Sequence, residues 1–74
     1  MAADDKLFLR EKSAVIKEAC ETFNKKTVKN AIDELRQKTW SKAVGELLAV
    51  MDENLLNDDY EEVLRCAEMI LLGT

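Results

Sequence analysis

Asp58-Asp59-Tyr60-Glu61-Glu62-Val63-Leu64-Arg65-Cys66-Ala67-Glu68-Met69-Ile70-Leu71-Leu72-Gly73 is the stretch whose reading decides the fold. Within it Tyr60, Val63, Leu64, Ala67, Ile70 and Leu71 recur at spacings of three and four, which line up on one face of an α-helix. Asp58 with Glu61, or Asp59 with Glu62, has the spacing by which a capping carboxylate and a following glutamate satisfy first-turn amides. Gly73 is placed to end the helix as the residue past its C-cap.

Working back towards the N-terminus, the same periodicity appears three more times. Trp40, Val44, Leu47, Leu48 and Met51 form the stripe of a third helix, capped by Thr39 or Ser41. Gly45 lies inside it, at a cost of about 1 kcal/mol relative to alanine, which points either to a close neighbour or to a local weakness. Two polar runs, Asp52-Glu53-Asn54 and Asn57-Asp58-Asp59, bracket Leu55-Leu56 and read as a helix end, a tight connection and a new start. Val28, Ala31, Ile32 and Leu35 line a short second helix, capped by Thr27, with Asn24 stopping the helix before it. In that first helix Leu9, Ile16, Cys20 and Phe23 form the stripe, widened by Val15 and Ala19. Asp4 or Asp5 is expected to cap it, and residues 1–4 to fray.

Four helices joined by short links predict an all-α fold, a compact four-helix bundle built from two consecutive αα-hairpins. At 74 residues the chain has room for one domain, 1–74, and for one small core. A content of 47% hydrophobic and 35% charged residues, with two glycines and no proline, is too apolar for disorder and poor in turn formers. The halves echo each other. Ala14-Val15-Ile16 lies thirty-five residues before Ala49-Val50-Met51, and Val28, Ala31 and Leu35 lie thirty-six before Leu64, Ala67 and Leu71. Such a period is near that of helix-turn-helix repeats. Asp58-Asp59-Tyr60-Glu61-Glu62-Val63-Leu64 resembles the start of the second helix of a tetratricopeptide repeat. The small residues of the first repeat helix and the terminal proline are absent, and no family function is carried over.

Most catalytic chemistry is excluded by composition. There is no histidine, so a zinc site would need more than two cysteines, and neither Cys20 nor Cys66 has an imidazole to activate it. The two cysteines read as free buried thiols in a cytoplasmic or nuclear setting, with a bridge between first and last helices as the alternative. A calcium loop begun at Asp52 would put Leu56 and Val63 at ligand positions, and one begun at Asn57 lacks the turn glycine. The acyl-carrier motif Asp-Ser-Leu is absent around both Ser13 and Ser41. Glu61 and Glu62 are neighbours that diverge on a helix, which suits solvation better than acid–base work. No enzyme activity and no cofactor are expected. No apolar run approaches a membrane span and the N-terminus has no leader pattern, so no membrane partner is expected.

Charge is unevenly spread: residues 1–23 sum to −1, 24–42 to +4 and 43–74 to −7. A self-neutralising bundle is the expected arrangement, with two separate charged patches as the alternative. Surplus hydrophobicity at the chain ends gives the functional expectation. Leu7-Phe8-Leu9 and Met69-Ile70-Leu71-Leu72 are consecutive apolar runs, and a helix turning about 100° per residue cannot bury every member on one face. Phe8, Met69 and Leu72, joined by Leu55 and Leu56 in the third connection, are the candidates for an exposed patch. Lys25, Lys26, Lys29, Asp58, Asp59 and Glu62 would form its charged rim. The expected function is a non-enzymatic protein–protein interaction domain, an adaptor or scaffold, binding a partner's amphipathic helix through its first and last helices. A homodimerisation domain is one alternative. A nucleic-acid-binding module is another, using the basic segment 25–42 with Trp40 stacking on a base.

Overall fold

The computed structural model describes residues 3–73, and among them the chain forms four α-helices. They are α1 (Ala3–Glu21), α2 (Lys25–Arg36), α3 (Lys42–Leu56) and α4 (Tyr60–Gly73). Helices consecutive in the chain pack on each other, and α1 packs most extensively on α4, closing a ring. Phe23 meets Tyr60 at one end of the molecule, while Lys38 meets Asp5 at the other. Successive helices therefore run in opposite directions, the up-down-up-down bundle that two αα-hairpins produce. Its extents are 32 × 20 × 19 Å, the long one close to the length of α1 itself.

The core follows the predicted stripes except at Val15 and Phe23, which are exposed. Leu9, Ile16, Ala19 and Cys20 of α1, Val28, Ala31, Ile32 and Leu35 of α2, Leu48, Met51 and Leu55 of α3, and Val63, Cys66, Ala67 and Ile70 of α4 are buried together. Phe8, Trp40, Val44, Leu47, Tyr60 and Leu64 pack against them partly covered. Both cysteines are free and buried. Ser13 is fully buried too, and its hydroxyl has no hydrogen-bond partner.

The two hairpins are turned by the same device. α1 ends at Glu21, Thr22 follows in the turn, and Phe23 takes a left-handed backbone, φ 56°. The Asn24 amide then bonds back to the Ala19 carbonyl at 2.8 Å and the Phe23 amide to that of Cys20 at 3.2 Å. The second turn repeats this with Asp58 at φ 57°, Asp59 bonding to Asn54 at 2.9 Å and Asp58 to Leu55 at 3.0 Å. Both are Schellman motifs, which occupy the carbonyls a helix end leaves unpaired. In each, the last residue of the motif also caps the next helix: Asn24 Oδ1 accepts from Thr27 N at 3.2 Å, and Asp59 Oδ1 from Glu62 N at 3.2 Å.

Thirty-five residues separate these matching positions, and the offset holds through the core. Ser13, Ile16, Cys20, Val28, Ala31, Ile32 and Leu35 correspond to Leu48, Met51, Leu55, Val63, Cys66, Ala67 and Ile70, all of them buried. The spacing of thirty-six expected for the second half of the repeat is therefore corrected to thirty-five. Leu64 and Leu71, which it selected, are half-buried flanks. In a ring of alternating helices this correspondence is a half-turn about the bundle axis.

Several boundaries differ from expectation. Asn24, not Thr27, caps α2. α3 starts after Ser41, whose Oγ accepts from Val44 N at 3.4 Å, so Trp40 lies in the preceding link. There its indole Nε1 donates to the Leu35 carbonyl at 2.6 Å and helps close α2. α3 does not break at Asp52 but runs through Leu56, because Leu55 sits seven residues on from Leu48 and four from Met51 on the buried face. Asp4 and Asp5 lie inside the first turn of α1 rather than before it, and residues 1 and 2 fall outside the described residues. Gly73 lies within α4 rather than past its end and does not adopt a positive φ. Gly45 has open space where a Cβ would stand, which removes the close-neighbour explanation.

Candidate functional site

Much of the basic segment's charge is spent on ion pairs with acids of the same chain. Lys25 of α2 bonds Asp58 at 2.9 Å, Lys29 reaches Asp52 of α3 at 2.8 Å and Asp33 at 3.2 Å, and Arg36 reaches the other Asp52 oxygen at 3.0 Å. Lys38 pairs with Asp5 at 3.0 Å, and Lys12 pairs with Glu34 across α1 and α2. The hydrogen bonds to Asp58 and to Asp52 and Asp33 hold the Lys25 and Lys29 ammoniums above the usual lysine range. The basic segment is thus threaded onto acids of the neighbouring helices. Of the expected rim, Asp59 caps α4, Glu62 lies 3.6 Å from Arg65, and Lys26 is exposed.

The expected apolar patch is redistributed. Leu55 is 1% exposed and belongs to the core, so it is withdrawn as a binding residue. Phe8 is half-buried against the core, with the ammoniums of Lys38 and Lys12 at 5.3 and 5.7 Å from its ring centroid. It seals the α1–α2 side as a cation–π lid. Leu56, Met69 and Leu72 are exposed, at 71%, 53% and 88%, but Leu56 lies at the hairpin-turn end and Met69 and Leu72 in the closing turns of α4. Leu56 therefore stands at the opposite end of the bundle from Phe8 and is not part of one patch with it.

Phe23, expected in the core stripe, is 71% exposed. The left-handed backbone at this position swings it off the α1 face and out over the turn end, where its ring meets that of Tyr60 edge-on at 5.4 Å and 81°. A β-carbon in this backbone region costs roughly 1–2 kcal/mol, and glycine is the usual occupant of such a C-terminal turn. Between α1 and α4, beside this pair, lies an open groove of about 490 Å³, a size in the range of small-ligand clefts. Cys20, Leu64, Phe23 and Tyr60 give it an apolar lining, and Glu21, Asp58, Asp59 and Glu61 the polar one. Asp58 and Asp59 are the members that sequence reading had named. The signal that would have found Phe23 is the thirty-five-residue offset, which aligns it with Asp58, a turn residue.

The groove contains a thiol but little reactivity. Burial, assisted by the charge of Glu21, pushes Cys20 from its ordinary 9.0 up to about 11, so the nucleophilic thiolate is scarce at neutral pH. Burial raises Cys66 as well. What the arrangement offers is aromatic and aliphatic contact area beside negative charge. Comparison with protein-family models, curated proteins and solved structures finds no match. No described helix is long and apolar enough to cross a membrane.

Proposed function

We propose that this chain is a non-enzymatic protein-interaction domain whose α1–α4 groove takes a segment of a partner protein, with Phe23 as the anchor. The reading keeps the first and last helices as the binding elements and replaces Phe8 by Phe23. One observation supports it above the others: a large aromatic ring is held in solvent at a backbone position that disfavours it. Buried aromatic anchors dominate interface energetics, and strain retained in a fold commonly accompanies a functional site. The test is selection of a displayed peptide library on the intact protein, with counter-selection on Phe23→Gly. Ligands that require the ring support the reading. It is overturned if no ligand distinguishes the two proteins while Phe23→Gly melts at or above the parent temperature.

Self-association is a second reading, favoured by a difference between the hairpins. Lys12 and Glu34, an ion pair on the first, correspond at thirty-five residues to Leu47 and Met69 on the second. Met69 and Leu72, both exposed, thus stand where the first hairpin has Glu34 and Gln37. Sedimentation equilibrium of the parent beside Met69→Asp/Leu72→Asp decides it, since a dimer through this face would revert to monomer in the variant. A parent that stays monomeric across the concentration range excludes it. The nucleic-acid alternative loses support, because Lys25, Lys29, Arg36 and Lys38 are committed to acids and Trp40 is half-buried.

A further inference from the structure

The groove between α1 and α4 carries its own description of what fills it. Its lining residues include no lysine or arginine, and they include four carboxylates. Two of these are already used: Asp58 by the Lys25 ammonium at 2.9 Å, and Asp59 as the cap of α4. Glu21 and Glu61 are exposed and make no ion pair and no side-chain hydrogen bond among the described residues. They sit on the two walls, Glu21 closing α1 and Glu61 opening α4. Beside them stand the exposed ring of Phe23 and the half-buried Leu64.

Resting on the groove reading above, we infer that its occupant is an arginine-bearing amphipathic segment of another protein. One of its aliphatic side chains would lie on Phe23 and Leu64, and its guanidinium would be met by Glu21 and Glu61. Arginine fits this setting better than lysine, because its planar fork both stacks on an aromatic face and binds carboxylates through paired N–H groups. An acidic partner would meet uncompensated like charge, and a wholly apolar one would leave the two glutamates beside it without a partner. The four carboxylates of the groove match the chain's whole net charge of −4, the rest of the sequence summing to zero.

The probe is a short amidated peptide with leucines at helical spacing and arginines beside them, labelled at one end and followed by fluorescence anisotropy. Three control peptides carry glutamine, lysine or glutamate in place of arginine. Binding is measured to the parent chain, to Glu21→Gln/Glu61→Gln and to Phe23→Gly, each first shown by thermal melting to be folded. Both glutamates are exposed, so their neutral replacements leave the core intact. The expected result is that the arginine peptide binds, that glutamine in the peptide or in the protein weakens it by about tenfold, equal to about 1.4 kcal/mol, and that Phe23→Gly abolishes it. Weakening by added salt should accompany the arginine peptide alone or with the lysine one. Equal binding of arginine and glutamine peptides, both lost in Phe23→Gly, would overturn the charge inference and leave the groove reading standing. Binding that ignores Phe23→Gly would place the ligand elsewhere and overturn the inference, as would no binding by any peptide. The fate of the groove reading is then decided separately by the library selection.

Discussion

Gly45 lies on the exposed side of α3, and apart from its own stretch of helix backbone no heavy atom comes within 4 Å of the position a Cβ would take. Its cost is therefore the plain entropic one of a glycine in a helix, uncompensated by any contact. Gly45→Ala should stabilise the domain by about 1 kcal/mol and raise Tm by roughly 4–8 °C, measured by thermal unfolding followed by circular dichroism. A fall in Tm would mean that the α3 backbone is constrained here in a way the open space does not suggest. Phe23 is the opposite case. Its side chain makes an edge contact with Tyr60 and yet sits in a conformation that charges roughly 1–2 kcal/mol to any residue with a β-carbon. Replacing it by glycine removes the ring contact and the strain together, so the two effects offset. Phe23→Gly should leave Tm at or above the parent value, whereas a ring needed for folding would give a clear loss.

At the scale of the helix, each hairpin depends on one residue that serves two elements. Asp59 finishes the Schellman turn of α3 and caps α4. Asp59→Ala removes the side-chain bond but leaves the backbone turn, and should cost about 1 kcal/mol by thermal melting. A cost near zero would show that the backbone turn alone holds α4. The buried stripes were legible because a period of 3.6 leaves its mark on the order of apolar residues, as in Val28, Ala31, Ile32 and Leu35. The ends of helices were less so. Asp52 looked like the start of a break, yet it is polar because Lys29 and Arg36 wait on the adjacent helix, a reason that lies outside its own segment. Phe23 continued the stripe of Cys20 in the same way that a core residue would. No glycine announced the left-handed turn that expels it, and so the centre of the groove was hidden while two of its acids were visible.

At the scale of the whole molecule, burial and ion pairing act together on its response to base. The Cys20 thiol, neutral when protonated, has its pKa raised in the fold from 9.0 to about 11, and burial raises Cys66 in the same direction. The unfolded chain then releases these protons first, so stability is complete below the unfolded thiol pKa and declines as pH rises from about 9 towards 11. Raised lysine pKa values at Lys25 and Lys29 act with the same sign, since their contribution is lost as pH climbs through the folded values. Thermal melts across this range should show Tm falling, with a shallower slope in Cys20→Ala/Cys66→Ala. An unchanged slope in that variant would assign the whole decline to other groups. A half-turn relating two hairpins is also the geometry that results when a self-pairing hairpin is duplicated and fused. Fusion frees each copy from having to match its twin on the outside, while the shared interior still obliges both to fit. The molecule is written in that manner: its interior still scans as a couplet, and its exterior has become two different texts, one ionic at Lys12 and Glu34 and one apolar at Leu47 and Met69.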